Sequence, residues 1–244
     1  DNGLEDFTAT CNGSTEIGGK TIKCTGEHGK ENLEEALAHS CNVYFAEAAQ
    51  QLGAQKLLAE ADKFLFNNDV LWNDVVMGKS VYESTEDKTQ LSWSAIGQYH
   101  DLITPLHACM IAGAIANDGV MMEPKLLYSV SSSLKTTYSV TPSAAATPVG
   151  SSAAGKLKEM MIGAVKNGTG KKAALKHYTV GGKTGTAEIA DGDTNAEHAW
   201  FVGFVDDDEH PLAIAVILEK AGSGGSNAAP AAKKVLTRAI DLGY

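Results

Sequence analysis

The residues best equipped for chemistry cluster in Gly181-Gly182-Lys183-Thr184-Gly185-Thr186-Ala187-Glu188. Lys183 brings a point charge, and Thr184 and Thr186 bring hydroxyls. The flanking glycines keep side chains away where a ligand or another backbone must approach. On a strand, alternation sets Thr184 and Thr186 on one face and keeps Lys183 from joining that face directly. A charge beside paired hydroxyls on bare backbone suits ligand binding; an edge strand near a turn is the plainer reading. A second polar group, Ser40-Cys41-Asn42, falls between two helical runs. There it either points side chains into a cleft or caps a helix, since Ser and Asn are favoured at helix starts. Cys11, Cys24 and His28 form a third group. Their spacing matches no familiar zinc signature, so the sequence assigns no metal and no cofactor.

These residues need elements to position them. Gly18-Gly19 suits a tight turn in a hairpin over residues 8 to 25, with Ile17 opposite Lys20 and Gly13 opposite Cys24. Helical spacing appears around Leu33 to Leu37, Val43 to Leu52, residues 54 to 66, Thr104 to Asn117, Ser152 to Lys166 and Ala228 to Asp241. Residues 67 to 91 look polar and irregular, and Ser131 to Gly150 looks like a surface connection or hairpin. Val180 to Ile189, Ala199 to Val205 and Leu212 to Glu219 read as an antiparallel meander. The expected fold is α+β, an antiparallel sheet flanked by helices plus a helical lobe. Residues 1–244 are expected to make one domain, with the lobe at about 27–120 and the sheet-and-helix part at about 121–244. The lobe carries Ser40 and Asn42; the sheet carries Lys183.

Composition sets limits. The 244 residues are 43% hydrophobic, enough for a sizeable core, and the formal net charge is −10. That charge argues against nucleic acid and anionic membrane surfaces as partners. The longest apolar run, Leu212 to Leu218, suits a buried strand and not a membrane span. Asp1-Asn2-Gly3-Leu4 reads like the middle of a longer polypeptide.

Taken together, the motifs resemble the transpeptidase domain of penicillin-binding proteins, most like the monofunctional class B type. Ala36-Leu37-Ala38-His39-Ser40-Cys41-Asn42 with Phe45 is similar to that family's second motif. Ala95-Ile96-Gly97-Gln98, Thr104-Pro105-Leu106 and Ala116-Asn117 resemble its central helix region. Gly168-Thr169-Gly170, Gly182-Lys183-Thr184-Gly185-Thr186-Ala187-Glu188 and His198-Ala199-Trp200-Phe201-Val202-Gly203-Phe204 resemble its third motif and partner strand. Gly224-Gly225 and Ala228-Ala229-Pro230 match the approach to its last helix. The resemblance spans nearly the whole chain.

It implies acyl transfer from D-alanyl-D-alanine stem peptides in peptidoglycan synthesis, with β-lactams as inhibitors. It further implies Ser40 in proton transfer, Asn42 on the substrate amide and Lys183 as positive charge near Ser40 and the substrate carboxylate. Thr184 and Thr186 would bind that carboxylate, Gly185 would keep the strand clear, and the Thr186 N–H would be an oxyanion donor. The setting would be the extracytoplasmic face of a bacterial membrane, anchored outside this chain, with a glycosyltransferase or the division or elongation machinery as partners. Cys11 and Cys24 are expected to form a disulfide, and Cys41 and Cys109 to stay reduced. One motif departs from the pattern. The family's Ser-x-x-Lys, which carries the nucleophile, would fall upstream of residue 1. Ser132-Ser133-Leu134-Lys135 has the spacing but lies in a Ser/Thr-rich stretch. The chain alone is therefore expected to be inactive. A β-lactam-sensing or binding module, and a β-lactamase or carboxypeptidase, are the other readings on the same fold.

Overall fold

The computed structural model of the chain describes residues 3–72, 75–133, 135–189 and 196–244. Asp1 and Asn2, and Leu134 of the Ser132–Lys135 spacing, lie outside the described residues.

The chain opens with a hairpin of β1 (Ala9–Ile17) and β2 (Lys20–Glu31). Gly18 and Gly19, at φ 60° and 77°, make the turn, and Ile17 faces Lys20 as expected. The register runs regularly to Ser14 opposite Lys23 and then slips. Gly13, at φ 87°, leaves the ladder, so the expected pair of Gly13 with Cys24 does not form. Beyond this bulge Asn12 faces Glu27 and Cys11 faces Gly29.

Three helices follow. α1 (Leu33–His39) starts at a capping box of Asn32 and Glu35. α2 (Asn42–Leu52) begins directly after the Ser40-Cys41 junction, and Gly53 separates it from α3 (Ala54–Lys63). Two short strands, β3 (Val70–Leu71) and β4 (Val76–Met77), pair antiparallel. The stretch expected to be irregular also holds the start of α4 (Lys88–Ala95), capped by Asp87. Its pattern hides it: Leu91 is buried, but so are the small polar Ser92 and Ser94, so no clean apolar stripe appears. α5 (Pro105–Ala116) has Thr104 as cap and proline in its first turn. β5 (Met121–Met122) pairs with β8 (Ala144–Ala146), and between them β6 (Ser129–Ser131) and β7 (Thr136–Ser139) form an exposed hairpin.

The main sheet comes last. α6 (Ser151–Lys166) leads into β9 (Thr179–Glu188), β10 (Glu197–Asp206) and β11 (Ala213–Leu218), an antiparallel meander in the order β11-β10-β9. α7 (Ala228–Asp241) closes the chain. Alternation along β10 decides which helix covers which face. Ala199, Phe201 and Val205 pack with Ala228, Ala229, Ala232 and Leu236, largely from α7. Phe204 points the other way, against Ile115 of α5 and Met161 of α6. The sheet is thus covered on both sides, and β9 lies at one of its two edges among the described residues. The fold is α+β, with antiparallel sheets and helices.

Close packing at β9 explains one of its glycines. A Cβ on Gly181 would sit 2.3 Å from the Phe204 ring, which is fully buried and has nowhere to go. Gly181→Ala is expected to destabilise the protein by about 1–3 kcal/mol in urea or thermal unfolding. A loss below about 0.5 kcal/mol would mean that the ring moves aside easily.

Candidate active site

Lys183 and Ser40 are 143 positions apart in sequence, yet the Lys183 Nζ donates to the Ser40 Oγ at 2.7 Å. It also donates to the Thr184 carbonyl at 2.8 Å. Alternation on the strand does not keep Lys183 out of the cleft, because its long stem carries the ammonium to Ser40. Burial lowers its pKa from 10.5 to about 8. An amine that titrates there can exchange a proton close to neutral pH.

Ser40 does not cap a helix start. It ends α1 in the left-handed region, at φ 60° and ψ 49°, and its N–H reaches back to the carbonyls of Ala36 and Leu37. Non-glycine residues rarely adopt this conformation, which tends to persist where surrounding contacts impose it. The cap of α2 is Cys41, whose Sγ accepts from the Tyr44 N–H. Asn42, which also lines the cleft, anchors its side-chain amide nitrogen on the Lys23 carbonyl at 3.0 Å.

β9 supplies the opposite wall. Thr184 is buried and shares a hydrogen bond of 2.7 Å with the hydroxyl of Thr169. Thr186 is exposed, and its hydroxyl accepts from the Gly224 N–H at 3.3 Å. The carbonyl of Thr184 turns to Lys183 and that of Thr186 to the Gln98 side chain, 3.1 Å away. Both therefore point away from β10. Within a strand, the N–H of a residue points to the same side as its C=O, so the Thr184 and Thr186 N–H groups also face the open edge.

Ser40, Asn42, Lys183, Thr184, Gly185 and Thr186 all line one cleft of about 870 Å³. The structure adds wall residues that sequence reading did not single out as site residues. Thr169 supports Thr184, Gln98 holds the edge of β9, and Trp93 and Phe45 supply apolar surface. Thr169 had a signal, since it sits between Gly168 and Gly170. A Cβ on Gly168 would lie 2.1 Å from the Ala38 carbonyl, and the Thr169 N–H donates to that carbonyl. The segment carrying Thr169 is thus pressed against the helix that ends at Ser40. Ser132 and Lys135 lie outside the cleft, exposed at the β6–β7 turn, where the Ser132 hydroxyl donates to the Lys135 carbonyl.

The expected disulfide is absent from this arrangement. Cys11, Cys24, Cys41 and Cys109 are all free thiols. The slip of register turns Cys11 toward the Gly26 carbonyl, and the Cys24 sulfur lies 4.0 Å from Cys41.

An open β-strand edge carrying Lys-Thr-Gly-Thr, facing a Ser-x-Asn loop across a cleft, defines a penicillin-recognising enzyme domain. Residues 1–237 match the family model described as the penicillin binding protein transpeptidase domain, and the chain belongs to that family. It is 32% identical over 219 residues to the peptidoglycan D,D-transpeptidase PbpA of Mycolicibacterium smegmatis, covering 87% of this chain and 44% of that protein. It is 30% identical over 236 residues to the peptidoglycan D,D-transpeptidase MrdA of Acinetobacter baumannii, covering 87% of this chain and 35% of that one. The chain thus spans less than half the length of these curated relatives. Among solved structures it resembles the D,D-transpeptidase domain of a peptidoglycan glycosyltransferase from Eggerthella lenta. That match has a TM-score of 0.86 at 29% identity, over 98% of this chain and 60% of that one. The ceftriaxone acyl-enzyme of penicillin-binding protein A from M. tuberculosis gives 0.87 at 27% identity, over 96% and 56%.

The lowered pKa of Lys183 has a measurable consequence. Between pH 8 and 10.5 the unfolded chain still holds this proton while the folded protein has begun to release it. Stability from this group therefore rises with pH across that window and is constant below it. Comparison of wild type with Lys183→Met by urea unfolding should show the wild type gaining ground only as pH rises from 8 toward 10.5. A difference that stays flat there would place the lysine pKa near its ordinary value.

Proposed function

We propose that this chain forms the substrate-binding part of a peptidoglycan D,D-transpeptidase acting outside the cytoplasm. The observation that carries this reading is the Lys183–Ser40 contact inside a cleft walled by Asn42 and the open edge of β9. In the whole protein, a serine oxygen attacks the carbonyl of the D-alanyl-D-alanine peptide and forms a tetrahedral oxyanion. The oxyanion collapses to an ester as the D-alanine amine leaves with a proton. An amine of a neighbouring stem peptide then attacks the ester and frees the serine. β-Lactams enter as donor mimics and stop at the ester.

The residues of this chain fit defined parts of that sequence. Lys183 and Ser40 form a proton path to the leaving nitrogen, and a lysine pKa of about 8 suits a group that gives and regains a proton. Asn42 holds the substrate amide. Thr184 and Thr186 bind the terminal carboxylate, supported by the charge of Lys183. The Thr186 N–H, on the open edge, donates to the oxyanion. Gly185 leaves that edge clear for an extended peptide.

Among the described residues, the serines that line the cleft are Ser40 and Ser223, and neither begins a Ser-x-x-Lys spacing. Ser40 already serves Lys183, and a displacement of about 1 Å from attack geometry can cost 10²-fold. Two outcomes follow. In the whole protein, Lys183→Ala should slow acylation by a labelled penicillin about 10²–10³-fold. Rates within a few-fold of wild type would overturn the assignment of the Lys-Thr-Gly strand. The 244-residue chain by itself should remain unlabelled in intact-mass measurement. A stoichiometric adduct on Ser40 or Ser132 would show that a nucleophile does lie within it.

A further inference from the structure

Behind the Ser40 wall of the cleft, four soft donors meet. The sulfurs of Cys11, Cys24 and Cys41 and a ring nitrogen of His28 all lie within 4.8 Å of one another. They come from three places in the chain: β1, β2 and the junction of α1 with α2. We propose that Cys11, Cys24, His28 and Cys41 are a binding site for a thiophilic divalent cation, zinc in particular, which clamps the hairpin to the Ser40–Asn42 loop. This goes beyond the transpeptidase reading and does not depend on it.

The geometry suits a tetrahedral ion. With Zn–S near 2.3 Å and Zn–N near 2.05 Å, the edges of the tetrahedron are about 3.8 Å between sulfurs and about 3.6 Å from sulfur to nitrogen. The Cys24 and Cys41 sulfurs are 4.0 Å apart, and the Cys24 sulfur is 3.7 Å from the His28 Nδ1. Three thiols and an imidazole are a familiar structural zinc set and a poor one for magnesium or calcium, which take oxygen. A disulfide between any two of these thiols would leave the third thiol and the imidazole without a role.

Other features point to the same place. The β1–β2 ladder breaks here, with register slips on both sides of Asn12, and the bulge turns the Cys11 thiol inward, where it is buried. Backbone N–H groups already donate to the sulfurs, Asn42 to Cys24 at 3.3 Å and Tyr44 to Cys41 at 3.5 Å. Such bonds stabilise thiolate ligands from outside the first shell of a metal. Glu31 supplies an independent sign. It is 2% exposed, one carboxylate oxygen contacts His39, and the Cys41 thiol lies beside the carboxylate; the other oxygen, 3.7 Å from the His28 Nδ1, has no hydrogen bond to N or O among the described residues. A buried, half-satisfied carboxylate is costly unless positive charge lies near. A cation among the thiols provides that charge.

Four protein donors leave no open coordination position, so the ion would be structural. Its place gives it a consequence for the cleft. Cys41 separates Ser40 from Asn42, and Cys24 follows Lys23, whose carbonyl holds the Asn42 amide.

The test is metal analysis of the whole protein, purified without chelator from zinc-supplemented medium. Wild type should carry about one zinc at this site, and Cys24→Ser and His28→Ala should each lower that content by about one equivalent. Cys109→Ser, on α5, should leave it unchanged. Cobalt in place of zinc should give the visible absorption of a thiolate-bound tetrahedral ion, lost in Cys24→Ser. Chelation should lower the melting temperature by roughly 5–15 °C. Should the variants fail to fold, alkylation of native wild type decides. Zinc should protect Cys11, Cys24 and Cys41 while Cys109 stays no better protected than after chelation. A disulfide between any pair of the three, metal content unchanged in Cys24→Ser and His28→Ala, or no protection by zinc each overturns the proposal.

Discussion

A lysine ammonium sunk into a cleft wall has to find acceptors, and the placing of those acceptors organises this molecule. The Lys183 Nζ has the Ser40 hydroxyl and the Thr184 carbonyl. The first acceptor requires Ser40 to turn left-handed at the end of α1, with its N–H returned to Ala36 and Leu37. The second requires β9 to keep its outer edge free. β9 can do so because β10 satisfies its inner edge over ten residue pairs, Glu188 with Glu197 through Thr179 with Asp206. Phe201 and Phe204, pointing to opposite faces of β10, lock the sheet between α7 and the α5–α6 pair. Gly168 lets the segment after α6 press against Ala38, so the residues beside β9 are packed directly on the helix that ends at Ser40. The core thus holds two polar atoms 2.7 Å apart across a gap that has to stay open to solvent.

Much of this was legible in the sequence, and for identifiable reasons. β9, β10, β11 and α7 emerged nearly to the residue, because strand alternation, turn residues and helical periodicity agree there. Lys183, Thr184 and Thr186 stood out because hydroxyls and a charge between glycines are unusual on a strand. Ser40 was ambiguous, since a serine at a helix junction caps helices far more often than it faces a cleft; only the left-handed conformation and the lysine contact separate the two. α4 was hidden because its buried face includes Ser92, which takes a hydrogen bond from Gln50, and Ser94, which donates to Asp101. Such polar burial defeats a hydrophobic count.

The hairpin shows what spacing alone leaves open. An unbroken ladder from Gly18-Gly19 sets Gly13 opposite Cys24, and the sequence carries no sign strong enough to place a break. The break at Gly13 changes the partner of Cys11 and brings its thiol toward Cys24, His28 and Cys41. Cys41 belongs to another element and lies 17 residues from Cys24, so pairwise reasoning within the hairpin could not include it. Long-range convergence of this kind is a property of tertiary packing and has no local signature.

The Ser40–Asn42 loop is consequently gripped from two sides. From the cleft, Lys183 holds the Ser40 hydroxyl; from behind, Cys24 accepts the Asn42 N–H, and the Lys23 carbonyl accepts its side chain. A left-handed serine costs energy, and it persists only where its neighbours fix it more strongly than its own preference releases it. A grip from the cleft alone would loosen whenever the Lys183–Ser40 contact broke. The contacts from the hairpin side do not involve Lys183, so they hold the Ser40–Asn42 loop whether or not the lysine contact is made. The division of labour follows from where the bonds lie: the residues that hold the loop from behind are separate from the residue that meets it in the cleft.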